Sequence, residues 1–168
     1  LRGVFGASGE GVAFESVGHK KLTTTNATYT AVNLKKGMRH DNRAKSFAKS
    51  FFDLPRLRIR KVEDIASLPD DHYGLPLFSN FPVVDAIIQP NILLQFTVAA
   101  THGNASDETW YEQIRAGLRG DKSSHKMIFI IKEENVGKFV HVGTPPDLQC
   151  YYMISTPLQD KNKRKAPA

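Results

Sequence analysis

The sequence predicts a single α/β domain, an open mixed sheet flanked by helices, and three observations carry that expectation. The chain has 168 residues, within the usual range of one domain and long enough to bury a core. Its 40% hydrophobic and 24% charged residues are an ordinary globular composition, far from that of a disordered chain. Segments with helical apolar spacing are interspersed with short runs rich in β-branched and aromatic residues.

Taken in order, residues 9–22 read as a helix capped by Ser8, with Val12, Phe14, Val17 and Leu22 as its apolar stripe. Residues 23–31 are threonine-rich and β-prone, which predicts a turn and a first strand ending near Leu34. Residues 41–52 predict a second helix, with Ala44, Phe47 and Phe51 on one side, basic residues on the other, and Pro55 as its stop. Residues 57–62 alternate apolar and basic, as on an edge strand. Residues 68–81 hold Pro69, Gly74, Pro76 and Asn80 and read as a loop. Two apolar, β-rich runs around Gln89-Pro90-Asn91 make residues 82–99 a hairpin. Residues 107–118 predict a helix, and 126–132 and 149–155 predict strands. The domain is expected to span 1–156 and a basic tail 157–168, with no internal repeat.

No apolar run approaches the roughly 18 residues that a membrane span needs, so no membrane partner is expected. One cysteine, Cys150, excludes an internal disulfide and a cysteine-cluster zinc site. The chain starts at Leu1 without a methionine or a signal-peptide layout, as expected of a processed or excised chain that omits any upstream targeting segment.

Net charge is +6 with a pI near 9.5, which makes polyanions the natural partner. The excess is concentrated. Residues 35–61 carry ten basic residues against Asp41 and Asp53, which marks Lys35, Lys36, Arg39, Arg43, Arg56, Arg58, Arg60 and Lys61 as nucleic-acid contacts. Residues 62–114 carry no lysine or arginine but eight acids. The tail is basic again, with Lys161, Lys163, Arg164 and Lys165 as a nuclear-import or phosphate-contact patch. An acidic centre between basic flanks suits a site that holds a cation while its neighbours grip phosphate; the blander reading is a solvated surface with chance clustering.

The hairpin holds the candidate chemistry. Closing it with Ile88 opposite Ile92 sets Asp85 opposite Gln95 and Val83 opposite Thr97. Alternation then puts Val84, Ala86, Ile88, Ile92, Leu94, Phe96 and Val98 on one face and Val83, Asp85, Ile87, Leu93, Gln95 and Thr97 on the other. Cross-strand partners lie roughly 5 Å apart at Cβ, so Asp85 and Gln95 are expected to aim oxygens at one point. Magnesium and manganese take such hard oxygen ligands.

The segments FPVVDAIIQPNILLQFTVAATH, GVAFESVGHKKL, WYEQIRAGL and KMIFIIKEENVGKFV, in their order along residues 3–156, resemble the C-terminal domain of Crinkler effectors. The chain is also similar to the related retrotransposon hot spot proteins of trypanosomatids, within the restriction-endonuclease-like PD-(D/E)xK nucleases. That resemblance implies a restriction-endonuclease-like sheet and a metal-dependent DNA endonuclease domain acting on host nucleic acid. It implies Mg2+ or Mn2+ held by Asp85, Gln95 and a Glu15 contributed by the preceding helix, with Glu15, Asp85, Gln95, Thr97 and His102 as catalytic residues. It further implies a secreted effector delivered to the host nucleus, with DNA and a host nuclear protein as partners. One departure stands out: where the family has acid-x-lysine, this chain has Gln95-Phe96-Thr97, which removes an anionic ligand and the phosphate-facing cation. A substitute cation would come from Lys20, Lys21, Arg115 or Arg119.

Each of these residues also has a plainer reading. Asp85 in an apolar strand is costly unless paired, hydrated or metal-bound. Gln95 and Thr97 could face solvent or bond each other, and a helical Glu15 is ordinarily a surface residue. His19 and His102 could contact phosphate or move protons, but a loop histidine usually does neither. Trp110 and Tyr111 could stack on bases or sit in the core. Two function classes therefore stay open: a metal-dependent phosphodiesterase, and a nucleic-acid- or protein-binding module that kept the fold and basic surface without turnover.

Overall fold

The computed structural model describes residues 9–35 and 45–156. In chain order these form α1 (Gly9–Thr24), β1 (Tyr29–Asn33), β2 (Ser46–Lys49), β3 (Arg56–Ile59), β4 (Tyr73–Pro76), β5 (Ala86–Ile88), β6 (Ile92–Thr97), β7 (Thr101–His102), α2 (Glu108–Arg115), β8 (Lys126–Ile131), β9 (Val140–His141) and β10 (Gln149–Ile154). Eight strands make one mixed sheet in the order β2-β1-β10-β8-β6-β5-β4-β3, and β7 pairs with β9 beside it. The pairs β6–β8, β8–β10 and β3–β4 are parallel; the rest of the large sheet is antiparallel. No helix among the described residues is long and apolar enough to cross a membrane.

The central parallel strands are apolar on both sides, as expected where both faces are covered. Met127, Phe129 and Ile131 of β8 join Tyr111 and Ile114 of α2 in one core layer. Ile128 and Ile130 of the same strand join Leu22 of α1 in the other. The run KMIFII thus alternates between two cores, which is why it has no polar face.

Several expectations need correction. Residues 45–52 do not continue a helix: Ser46–Lys49 is a strand laid against β1, with Phe47 opposite Ala31, and pairing with a neighbour overrides the local helical spacing. The remainder of that expected helix up to Ala44, like Lys36, Arg39, Arg43, the Ser8 cap and the basic tail, lies outside the described residues. Residues 68–81 are not all loop, because Tyr73–Pro76 inserts between β3 and β5. A proline is tolerated there because it ends the strand. The edge strand at β3 and the strands at β8 and β10 stand where expected. Within α1 the apolar stripe is misplaced: Val12 and Val17 are more than half exposed, while Gly18, His19, Leu22 and Thr23 are buried.

Gly18 explains how α1 lies. A Cβ at this position would overlap the ring of Phe96, so the helix can sit directly on β6 only because the residue has none. Phe96 is in turn wedged between Phe14 and His19, with ring centroids at 6.0 and 4.6 Å. Helix propensity alone favours alanine over glycine by about 1 kcal/mol. Gly18→Ala is nevertheless expected to lower stability by about 1 to 2 kcal/mol through overpacking, read as a reduced denaturant midpoint. A more stable Gly18→Ala protein would show that α1 is not seated this way.

Candidate functional site

The loop of residues 78–84 separates two clefts, and the sequence-predicted site residues divide between them. The first cleft, about 540 Å³, is lined by Glu15 and His19 from α1, Arg58 from β3, and Asp85. The second, about 310 Å³, is lined by Gln95, His102, Asn104, Asp107, Trp110 and Val83. Asn80 and Phe81 form part of both walls.

The division arises at Val83. The hairpin register is the expected one, with Ala86 opposite Leu94, Ile87 opposite Leu93 and Ile88 opposite Ile92. The paired register ends at Ala86, and Asp85 N–H donates to Leu94 O at 2.8 Å, out of that register. Val83 has φ 49, a left-handed conformation rare for a β-branched residue, and Val84 N–H donates to Pro82 O at 2.7 Å across it. This tight turn breaks the alternation: Val84 and Ile87 pack in the same core layer, whereas Ala86 and Ile88 pack in the other. Asp85 thereby joins the α1 side of the sheet. Gln95, one residue before the α1-packed Phe96, points to the α2 side. The expected convergence of Asp85 and Gln95 on one cation is therefore not found.

Asp85 has a structural task as well. Its Oδ2 accepts the main-chain N–H of Phe96 at 2.8 Å, standing in for a strand partner at the end of β5. Thr97 Oγ1 accepts from Ala99 N–H at 3.2 Å, a local turn contact. An acid at position 95 and a lysine at 97 would accordingly face away from Asp85.

Glu15, His19, Asp85 and Arg58 do come together. Tyr73 belongs with them, though its strand reads as loop in sequence; the aromatic among Gly74 and Pro76 was the only signal. Burial, reinforced by the nearby carboxylates of Asp85 and Glu15, holds the Tyr73 phenol well above its ordinary range, with Arg56 opposing. The neutral hydroxyl lies 2.7 Å from His19 Nδ1. Assigning the phenol as donor leaves the imidazole proton on Nε2, which faces Glu15 Oε1 at 3.6 Å. The result is a line of polar groups from the buried Tyr73 through His19 to Glu15, the last two lining the cleft.

Of the substitute cations named from sequence, Arg115 and Arg119 are engaged elsewhere, and neither they nor Lys20 and Lys21 line the first cleft. Arg115 is buried and makes a bidentate pair with Asp147 at 2.9 and 3.1 Å, while donating to His125 Nδ1 and Glu112. Arg119 pairs with Asp70. Lys20 lies in a separate groove beside Arg56, whose guanidinium binds Thr23 Oγ1 and His19 O. Arg58 is the cation that lines the first cleft.

As a metal site the donor set is short. No group of three His, Cys, Asp or Glu side chains able to hold a metal is found among the described residues. Glu15 and Asp85 are the two carboxylates of the first cleft, and magnesium is often bound through one or two carboxylates with several waters. Comparison with known protein families, with curated proteins and with solved structures finds no match.

The Asp85 contact has a measurable consequence. Asp85→Ala leaves a buried N–H on Phe96 without its acceptor and is expected to cost about 1 to 3 kcal/mol. Asp85→Asn keeps an acceptor oxygen there and should lose less. Equal stability of all three proteins in chemical denaturation would remove the structural task assigned to Asp85.

Proposed function

We propose that this chain is a nucleic-acid-binding domain on a restriction-endonuclease-like, Crinkler-type scaffold, gripping phosphate through the β3 edge and its adjoining cleft. The observation that carries the reading is the placement of Arg58. It is exposed on an edge strand and at the same time lines the first cleft beside Glu15, His19 and Asp85. Arg60 and Lys61 follow it after the buried Ile59, both exposed. Their main-chain N–H groups donate to Asp64 Oδ2 at 3.0 and 3.1 Å, which fixes the turn that carries them. Arg56 has a different role, since its guanidinium ties β3 to α1. The net charge of +6 supplies the long-range attraction that such a surface needs. Delivery to a host nucleus, and action there on DNA or on a nuclear protein, accompany the scaffold reading.

Replacing Arg58, Arg60 and Lys61 together by glutamate is expected to weaken duplex DNA binding strongly. It should also flatten the dependence of log affinity on log salt by about 2 to 3, one phosphate contact per residue. An unchanged gel-shift midpoint and salt slope would sink the reading.

A second reading, slow metal-dependent cleavage, is favoured by the meeting of Glu15 and Asp85 in one cleft. A divalent cation held there would lower the pKa of a bound water and stabilise developing phosphate charge. Supercoiled plasmid incubated with Mg2+, Mn2+ or EDTA discriminates the two. Nicking that needs metal and disappears in Glu15→Gln, a partly exposed position, supports turnover. Intact plasmid at protein concentrations that shift it in a gel leaves binding without catalysis.

A further inference from the structure

The second cleft carries a feature that phosphate binding does not use. Gln95 forms part of its wall and is 4% exposed. Its Nε2 donates to Phe96 O at 3.3 Å, and its Oε1 is buried with no hydrogen-bond partner. A buried amide oxygen without a donor is a standing desolvation cost, and native structures hold few of them. Trp110, the chain's one tryptophan, stands at the rim and is 42% exposed, although the adjacent Tyr111 is fully in the core.

The remaining walls are fixed. Gly103, at φ 102, lies so close to Val142 O that no Cβ would fit, which pins the β7–β9 pair beside the cleft. Asn104 and Asp107 hold each other: Asp107 Oδ2 accepts from Asn104 N–H at 2.8 Å, and Asp107 N–H donates to Asn104 O at 3.0 Å. Val83, in its left-handed turn, forms the side shared with the hairpin. A volume of about 310 Å³ is at the small end of ligand pockets.

We propose that this cleft takes an unpaired nucleobase, whose ring stacks on the Trp110 indole while the Gln95 side chain turns into the cleft to bring its enclosed Oε1 to an N–H of the base edge. An aromatic platform at the rim with a hydrogen-bonding group at the wall is how proteins read splayed bases. The phosphate-gripping cleft adjoins it across Asn80 and Phe81, so a strand held by Arg58 has a base site within reach. The proposal rests on the nucleic-acid reading above and adds single-stranded preference to it.

Trp110 makes the test internal, because protein fluorescence reports on that one side chain. Wild type is titrated with a mixed-sequence single-stranded DNA 12-mer, with an abasic oligomer of equal length, and with duplex. Quenching by the single strand, together with gel-shift binding of the abasic oligomer that leaves the fluorescence unchanged, is the expected result. Gln95→Met removes the orphan acceptor at nearly constant volume. It should weaken single-strand binding roughly tenfold, one hydrogen bond's worth, leave abasic binding unchanged, and preserve or raise Tm. Trp110→Ala changes an exposed residue and serves if Gln95→Met fails to fold; it too should weaken only the base-bearing oligomer. Equal quenching by the abasic oligomer, or unchanged single-strand affinity in the folded variants, overturns the proposal while phosphate gripping stands. If neither oligomer binds, phosphate gripping falls, and the cleft is tested alone with deoxyguanosine. Saturable quenching that Gln95→Met abolishes then upholds it, and no quenching overturns it.

Discussion

The contact between Gly18 and Phe96 is the constraint on which the arrangement of the first cleft depends. Because Gly18 lacks a side chain, α1 rests directly on β6, and Glu15, one turn before it, and His19, next to it and four residues after Glu15, face the same cleft. Glu15 and His19 are therefore carried to the end of the hairpin where Asp85 lies. Tyr73 meets His19 from β4, two strands away in the sheet. A helix held further out by even a methyl group would separate the imidazole from the phenol. Close packing here decides chemistry, because a hydrogen bond of 2.7 Å does not survive a displacement of an ångström or so.

The hairpin shows what the sequence could and could not reveal. Its register follows from the short connection and the apolar runs on each side, and both are visible in the letters. Its faces depend on Val83 adopting φ 49, and nothing about a valine announces a left-handed turn. One residue out of pattern carries Asp85 from the α2 side to the α1 side and dismantles the pair with Gln95. The strand at Tyr73–Pro76 was hidden for a different reason. Gly74 and Pro76 read as breakers, yet a Cβ at residue 74 would meet Leu68 and the carbonyl of Ile87, so the glycine there serves close strand packing. Residues 46–49 have helical apolar spacing only if counted with their neighbours, and pairing with β1 decides their state. The strands at β8 and β10 were legible because a run buried on both faces leaves no room for polar residues.

The acidic stretch between the basic flanks invited a metal reading, and the structure gives most of its carboxylates other partners. Asp64 fixes the turn after β3, Asp70 pairs with Arg119, and Glu112 joins Asp147 around Arg115. Asp107 closes a capping exchange ahead of α2, and Asp85 completes the end of β5. Charge clustering along a chain therefore reflects where loops and short helical turns need acceptors, as much as where a cation would bind. The basic flank behaves differently. Arg56 is drawn into the α1–β3 junction, but Arg58 on the edge strand and Arg60 and Lys61 in the turn after it remain at the surface. A charged edge also blocks strand-to-strand aggregation, so their presence alone would not argue for a ligand. Arg58 does, because it shares its cleft with Glu15, His19 and Asp85.

The same accounting isolates Gln95. Gln89, the other fully buried glutamine, uses every polar atom: Nε2 donates to Ile65 O and Gly117 O at 2.9 and 2.8 Å, and Oε1 accepts from Arg119 N–H at 3.0 Å. That residue ties the hairpin turn to both chain segments packed on it, and its burial needs no further cause. Gln95 lies six residues along the same hairpin with one weak contact and an unmatched oxygen. Methionine or leucine would fill its place without the polar cost, so packing gives no reason for an amide. A reason appears only on the cleft side, where Gln95 lines the same cleft as an exposed indole. Two buried glutamines thus part by a single criterion: whether the fold itself uses the hydrogen-bonding groups it encloses.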